Sequence, residues 1–156
     1  MGRRPAVVIV TVAVLVFLGV TAAAGGAAML LGFTPPDEWL DAVPMISSWT
    51  APGMILAVGF GAGALTTAYG VVRRPRVHVL RSVERAVGEH WSWLATILLG
   101  LGLIMWIALE VVYLPQTSFL QFAYAVVGLV LLVLPLHPRL RADLAPREPS
   151  RTEPRA

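Results

Sequence analysis

The sequence predicts an all-α, polytopic membrane protein with four transmembrane helices in an antiparallel bundle. Three observations carry that expectation. Of the 156 residues, 57% are apolar before the 14 glycines are counted, and only 13% are charged, about half the charge of an ordinary soluble domain; the mean hydropathy is +0.75. The apolar residues gather into four runs, 6–31, 52–72, 92–114 and 119–136, each near the roughly 20 residues that cross a bilayer core of about 30 Å. Every basic residue is an arginine, and the arginines are confined to three segments. Lipid offers no partner to a bare peptide group, and the runs lack period-2 alternation, so the spans are expected as helices.

The first run carries no charge and holds Gly25-Gly26 near its far end. Arg3-Arg4 before it and the small residues Ala22 to Gly25 also fit a secretory signal with a cleavage site. The run is longer than the usual apolar core of about 7–15 residues, so it reads as a retained anchor. The second run places Gly59, Gly63, Thr66 and Gly70 on one helical stripe, Gly59 and Gly63 forming a GxxxG pair. Small residues let helices approach closely in lipid, and the stripe is expected to pack inside the bundle, a seam between copies being the other use. The first run offers Gly19, Ala23 and Ala27 at the same spacing.

The third run contains the one ionisable residue inside a span, Glu110, on the stripe Thr96, Gly100, Leu103, Ile107, Glu110. Glu110 lies about 10 Å from the span's midpoint by the helix rise. The fourth run presents Gln121, Tyr124, Gly128 and Leu131 at matching spacing, and the turn from Pro115 to Ser118 brings Glu110 and Gln121 to similar depth. Glu110, Gln121 and Tyr124 are therefore the candidate polar site. A hydrogen-bonded structural pair, a ligand or proton-handling site, and an acid reaching for the interface are its three readings.

Between the runs the chain is polar. The loop 32–51 is acidic; Thr34-Pro35-Pro36-Asp37 reads as a capping box with proline at the first helical position. Trp39 and Trp49, with Val43, Met45 and Ile46, are expected at the headgroup level, where tryptophan is enriched. The loop 73–91 carries Arg73, Arg74, Arg76, Arg81 and Arg85, and its Val77, Leu80, Val83 and Val87 fall on one side of an amphipathic segment. Residues 1–137 form the membrane domain, and 138–156, with Arg139, Arg141, Arg147, Arg151 and Arg155, reads as a disordered tail. Since arginine bias in short loops sets orientation, both termini and the central loop are expected in the cytoplasm.

No cysteine is present, which excludes thiol chemistry and disulfides. His78, His90 and His137 are too scattered for a metal-ligand set, and no nucleophile motif appears, so no cofactor, metal or catalytic residue is expected. The pI near 10.2 comes from the orienting arginines without interleaved aromatics, which argues against nucleic acid and for anionic lipids.

Trp49 to Leu56, Met105 to Val111 and Phe119 to Tyr124 resemble a group of small, uncharacterised bacterial four-helix integral membrane proteins over most of 43–136. The resemblance implies a bacterial cytoplasmic membrane and carries over no functional residue. It also implies glutamine at the position of Glu110, which argues against an essential proton relay. The expected function is an accessory or interaction protein of that membrane, acting through lipid, a membrane-protein partner or a second copy; the alternative is a small transporter or channel-like oligomer with an outer-leaflet acidic site. The orientation has a direct check. In intact cells an impermeant thiol reagent is expected to label Ser48→Cys and to spare Ser150→Cys, and the reverse pattern would invert the topology.

Overall fold

A computed structural model describes residues 5–43, 46–75, 77–80, 84–85, 87–114 and 116–144. Expectations for Arg3, Arg4, Met45, Arg76, Arg81, Val83, Pro115, Arg147, Arg151 and Arg155 lie outside the described residues. The described residues are helical, with no strand. The helices are α1 (Ala6–Leu30), α2 (Asp37–Asp41), α3 (Thr50–Arg73), α4 (Trp91–Tyr113), α5 (Phe119–Leu136) and α6 (Pro138–Leu144), with a 3-10 turn at His78–Leu80. Four of them, α1, α3, α4 and α5, are long and apolar enough to cross a membrane.

Local chemistry sets the helix ends. Past α1, Gly32 takes φ +93°, a left-handed conformation that glycine adopts without a Cβ penalty. α3 stops at Arg74, which is left-handed at φ +50°, because the ring of Pro75 disfavours a further α residue before it. That conformation costs a non-glycine residue about 1–2 kcal/mol. α4 opens at an extended His90, whose Nδ1 accepts the Ser92 N–H at 3.3 Å. The expected capping box at Thr34 does not form: α2 begins at Asp37, with Pro36 extended and no side-chain cap. A residue preceding proline is pushed out of the α region, so Pro35, followed by Pro36, cannot be a first helical residue.

The long helices meet in sequence, α1 on α3, α3 on α4 and α4 on α5, and α1 also touches α5 and α6. The closest approach is between α1 and α3. A Cβ added to Gly26 would lie 2.4 Å from the Ala57 nitrogen and 2.5 Å from the Gly53 oxygen, and one added to Gly61 would lie 2.9 Å from the Ala23 Cα. Backbone therefore packs on backbone at Gly26, Gly53 and Gly61. Residues 55–62 of α3 wind as a π-helix; closing each turn with an i→i+5 bond keeps residues four apart, such as Gly53, Ala57 and Gly61, more nearly on one line facing α1. Ala64, Ala68 and Val71 continue the buried face.

The stripe expected from the sequence lies about half a turn away from this seam, two residues out of phase with it. Gly59 and Thr66 are exposed, Gly63 is half-buried and Gly70 is buried, packed under the Trp91 ring. On α1, Gly19 and Ala23 face α3 but Ala27 is exposed and Gly26 takes its place. Two stripes of small residues run along α3, and spacing alone does not distinguish them. A second close seam joins α4 to α5, where a Cβ on Gly100 would come within 2.9 Å of the Gly128 oxygen; Thr96, Leu103, Ile107, Gln121 and Leu131 are buried there.

The segment 138–144 corrects the expectation of a tail disordered from residue 138. It forms α6, whose Leu140 and Leu144 are each 1% exposed. Seven residues starting with proline gave no periodic signal, and the helix holds because those two leucines find an apolar floor.

The α1–α3 seam makes a contrast between adjacent glycines. Gly26→Ala is expected to destabilise by about 1–3 kcal/mol through overpacking. Gly25→Ala, with nothing within 4 Å of the new methyl, is expected to be neutral or to stabilise by up to about 1 kcal/mol. Steric-trap unfolding in bicelles reads both.

Candidate functional site

The buried threonine hydroxyls are occupied by their own helices, while the buried Ser92 hydroxyl lies 2.8 Å from His90 Nδ1. The Thr11, Thr67 and Thr96 hydroxyls donate to the carbonyls of Val7, Gly63 and Ser92, four residues back, at 2.7–2.8 Å. Such back-bonding satisfies a hydroxyl without a tertiary partner. The polar chemistry that remains lies in two places.

The first surrounds Glu110. The Trp106 indole N–H donates to Glu110 Oε1 at 2.6 Å, one turn earlier on the same face of α4. Gln121 sits at the start of α5 and its Oε1 accepts the Ser118 N–H at 3.0 Å, holding the first turn. The same side chain lies near the Glu110 carboxylate. With its oxygen committed to Ser118, its NH2 is the group left to donate to a carboxylate that only accepts. Tyr124 is not part of this cluster: it stacks on Phe17 of α1 with ring centroids 6.4 Å apart. The Trp106 ring meets Phe60 of α3 edge-on at 6.1 Å. Glu110 is thus bonded to the Trp106 indole, whose ring reaches α3, and faces Gln121 at the start of α5.

Trp106 was missing from the candidates drawn from the sequence, although residues four apart on a helix face each other and an indole N–H is a donor in search of an acceptor. The anchors Trp39 and Trp49 are half-buried near the opposite end of α3 from Arg73, and the Trp49 N–H has no acceptor among the described residues.

The second place is the arginine-bearing end, where α6 is latched across the helix ends. Arg74 pairs with Asp143, and Arg141 pairs with Glu89 at 3.2 Å while its guanidinium lies over the Trp93 ring, 5.6 Å from the centroid. The His90 N–H donates to the Leu144 carbonyl at 3.2 Å, and the Trp93 indole donates to the Pro135 carbonyl at 2.9 Å. His90 Nδ1 accepts from the Ser92 N–H, so the proton falls on Nε2, which lies 3.3 Å from the Pro75 carbonyl and 3.7 Å from Glu84. Exposed ion pairs add only about 0–1 kcal/mol each. The latch therefore depends chiefly on Leu140 and Leu144, and the charges set its register. Among the described residues no group of three or more His, Cys, Asp or Glu is placed to hold a metal ion.

Compared with known protein families, curated proteins and solved structures, the chain matches none.

The Glu110 cluster is testable by coupling. Interhelical polar contacts in membranes average about 0.6 kcal/mol, with a maximum near 1.7. A double-mutant cycle of Glu110→Ala with Gln121→Ala is expected to show coupling in that range, and the cycle with Tyr124→Ala is expected to be additive within about 0.5 kcal/mol. Additivity at Gln121 would remove the pair.

Proposed function

We propose that the chain is an accessory or interaction protein of the bacterial cytoplasmic membrane. In this reading α1, α3, α4 and α5 span the bilayer as an antiparallel bundle, and both termini and the arginine-bearing end lie in the cytoplasm. Four apolar helices and the placement of every arginine near one end or in the termini support the orientation, as does the resemblance to small bacterial four-helix membrane proteins.

The observation that carries the functional reading is how the polar groups are used. The buried threonines bond back to their own helices, Gln121 holds the start of α5, and Glu110 is bonded within its own helix by the Trp106 indole. These groups act as structural fastenings. What the molecule offers outward is surface: an apolar belt, and a cytoplasmic face whose charges are locked by α6 into a fixed pattern. A fixed charged face on an anchored bundle suits recognition of a partner.

The rival reading, a transporter or channel-like oligomer using Glu110, is separated by experiment. A photo-crosslinking residue at the exposed Arg139 position on α6 is expected to give a discrete protein adduct in native membranes, and one at Met105 is not. Proteoliposomes are expected to show no solute or proton flux that changes with Glu110→Gln. A Glu110-dependent flux without an adduct at Arg139 would overturn the proposal in favour of transport.

A further inference from the structure

α3 and α4 touch at the arginine-bearing end and part toward the other. At Gly70 there is no room for a methyl group, since an added Cβ would lie 2.5 Å from the Trp91 ring. At Gly63 the same Cβ would be in ordinary contact, 3.6 Å from Leu99, and at Gly59 it would meet nothing of α4 at all. The space so opened is a groove of about 370 Å³ along the flank of the molecule, lined by Ile55, Gly59, Phe60 and Gly63 of α3 and by Leu98 and Leu99 of α4. Its lining is apolar, and the Thr67 hydroxyl at its narrow end is already bonded to the Gly63 carbonyl.

Gly59 and Gly63 are not required by the packing. Glycine is a poor helix residue, and at both positions the fold has space for a side chain. What the two glycines do is keep the groove open. Past its narrow end stands Arg73, exposed and without a partner among the described residues, in contrast to Arg74, which is paired with Asp143. Trp91, on the groove side of α4 by its four-residue spacing from Ala95, closes that end: its ring packs on Gly70, and its indole N–H is buried with no acceptor among the described residues. An apolar slot therefore ends at Thr67, six residues and about 9 Å of helix rise short of an exposed cation that has no partner among the described residues.

We propose that this groove holds one acyl chain of an anionic phospholipid whose phosphate sits against Arg73. The proposal rests on the membrane reading above and names a partner within it. An acyl chain suits the slot better than a helix of about 10–12 Å diameter. A second copy seated on the same stripe about a two-fold axis along the membrane normal would bring two Arg73 guanidinium groups to the same side of the seam, whereas a phosphate neutralises the one.

The test is native mass spectrometry of the detergent-purified full chain, incubated with equal amounts of phosphatidylglycerol and phosphatidylcholine. The wild type is expected to retain phosphatidylglycerol in preference. Gly63→Leu, whose side chain fills the groove, is expected to retain neither lipid, and Gly63→Ala, for which there is room, to behave as wild type. Arg73→Gln is expected to lower phosphatidylglycerol retention about fivefold and to leave phosphatidylcholine unchanged. Should Gly63→Leu fail to fold by circular dichroism and gel filtration, Gly59→Leu takes its place. Retention unaffected by the groove-filling and Arg73 variants would overturn the site, and a dimer that Gly63→Leu dissociates without change in bound lipid would assign the groove to a second copy and overturn it equally. Alkaline carbonate extraction separates the two claims: the chain stays with the membrane pellet when only the lipid site fails, and leaves it when the membrane reading fails.

Discussion

The contact on which the rest of this structure depends is the meeting of α1 and α3 backbones at Gly26, Gly53 and Gly61. In a bilayer, apolar side chains gain little by leaving lipid for one another, so helices must find stability in close packing. Three positions without a Cβ allow it, and a π-helical stretch keeps them in line on α3. Once that face is committed to α1, the rest of α3 is determined. Phe60 turns toward Trp106 of α4, Gly70 receives the Trp91 ring, and Gly59 with Gly63 are left at an open flank. The groove is a consequence of the seam.

Charge obeys a second economy. The described ion pairs lie at one end of the molecule, where Arg74, Asp143, Arg141 and Glu89 fasten α6 across the ends of the long helices. Arg74 sits in a left-handed conformation before Pro75, so the same residue that ends α3 also anchors the latch. Toward the opposite end the one carboxylate within the long helices, Glu110, is held by Trp106 and faces Gln121. Acids inside spans are costly unless partnered, and the Trp106 partner here lies on α4, fixed against α5 by the seam at Gly100 and Gly128. Polar groups in this molecule hold helices in register, which is why the functional reading turns on surfaces.

Hydropathy makes the four long helices legible from sequence, because an unbroken apolar run of this length has few other uses. The Glu110 and Gln121 neighbourhood is legible too, since a tight turn fixes the relative depth of the residues flanking it. Three things are not. The choice between two small-residue stripes on α3 depends on which neighbour arrives first, and a period cannot encode that. Tyr124 shares the helical spacing of Gln121, yet a long ring reaches a neighbouring helix and stacks on Phe17 instead. α6 is too short to show periodicity, and its stability comes from a floor assembled from distant segments. Trp106 stands between these cases: its spacing from Glu110 is plain in the sequence, but spacing identifies a hydrogen bond only when the acceptor is noticed first.

If the α1–α3 seam organises the molecule, α1 must remain part of the mature protein. Removal at the small residues near its far end would take away Gly19 and Ala23 and leave Gly61 uncovered. Intact-mass and peptide mass spectrometry of the protein purified from its native membrane tests this most directly. Recovery of the peptide covering Ala6 to Leu31 is the predicted result. A mature N-terminus at Gly25 or Gly26 would contradict the account, because the seam could not then form.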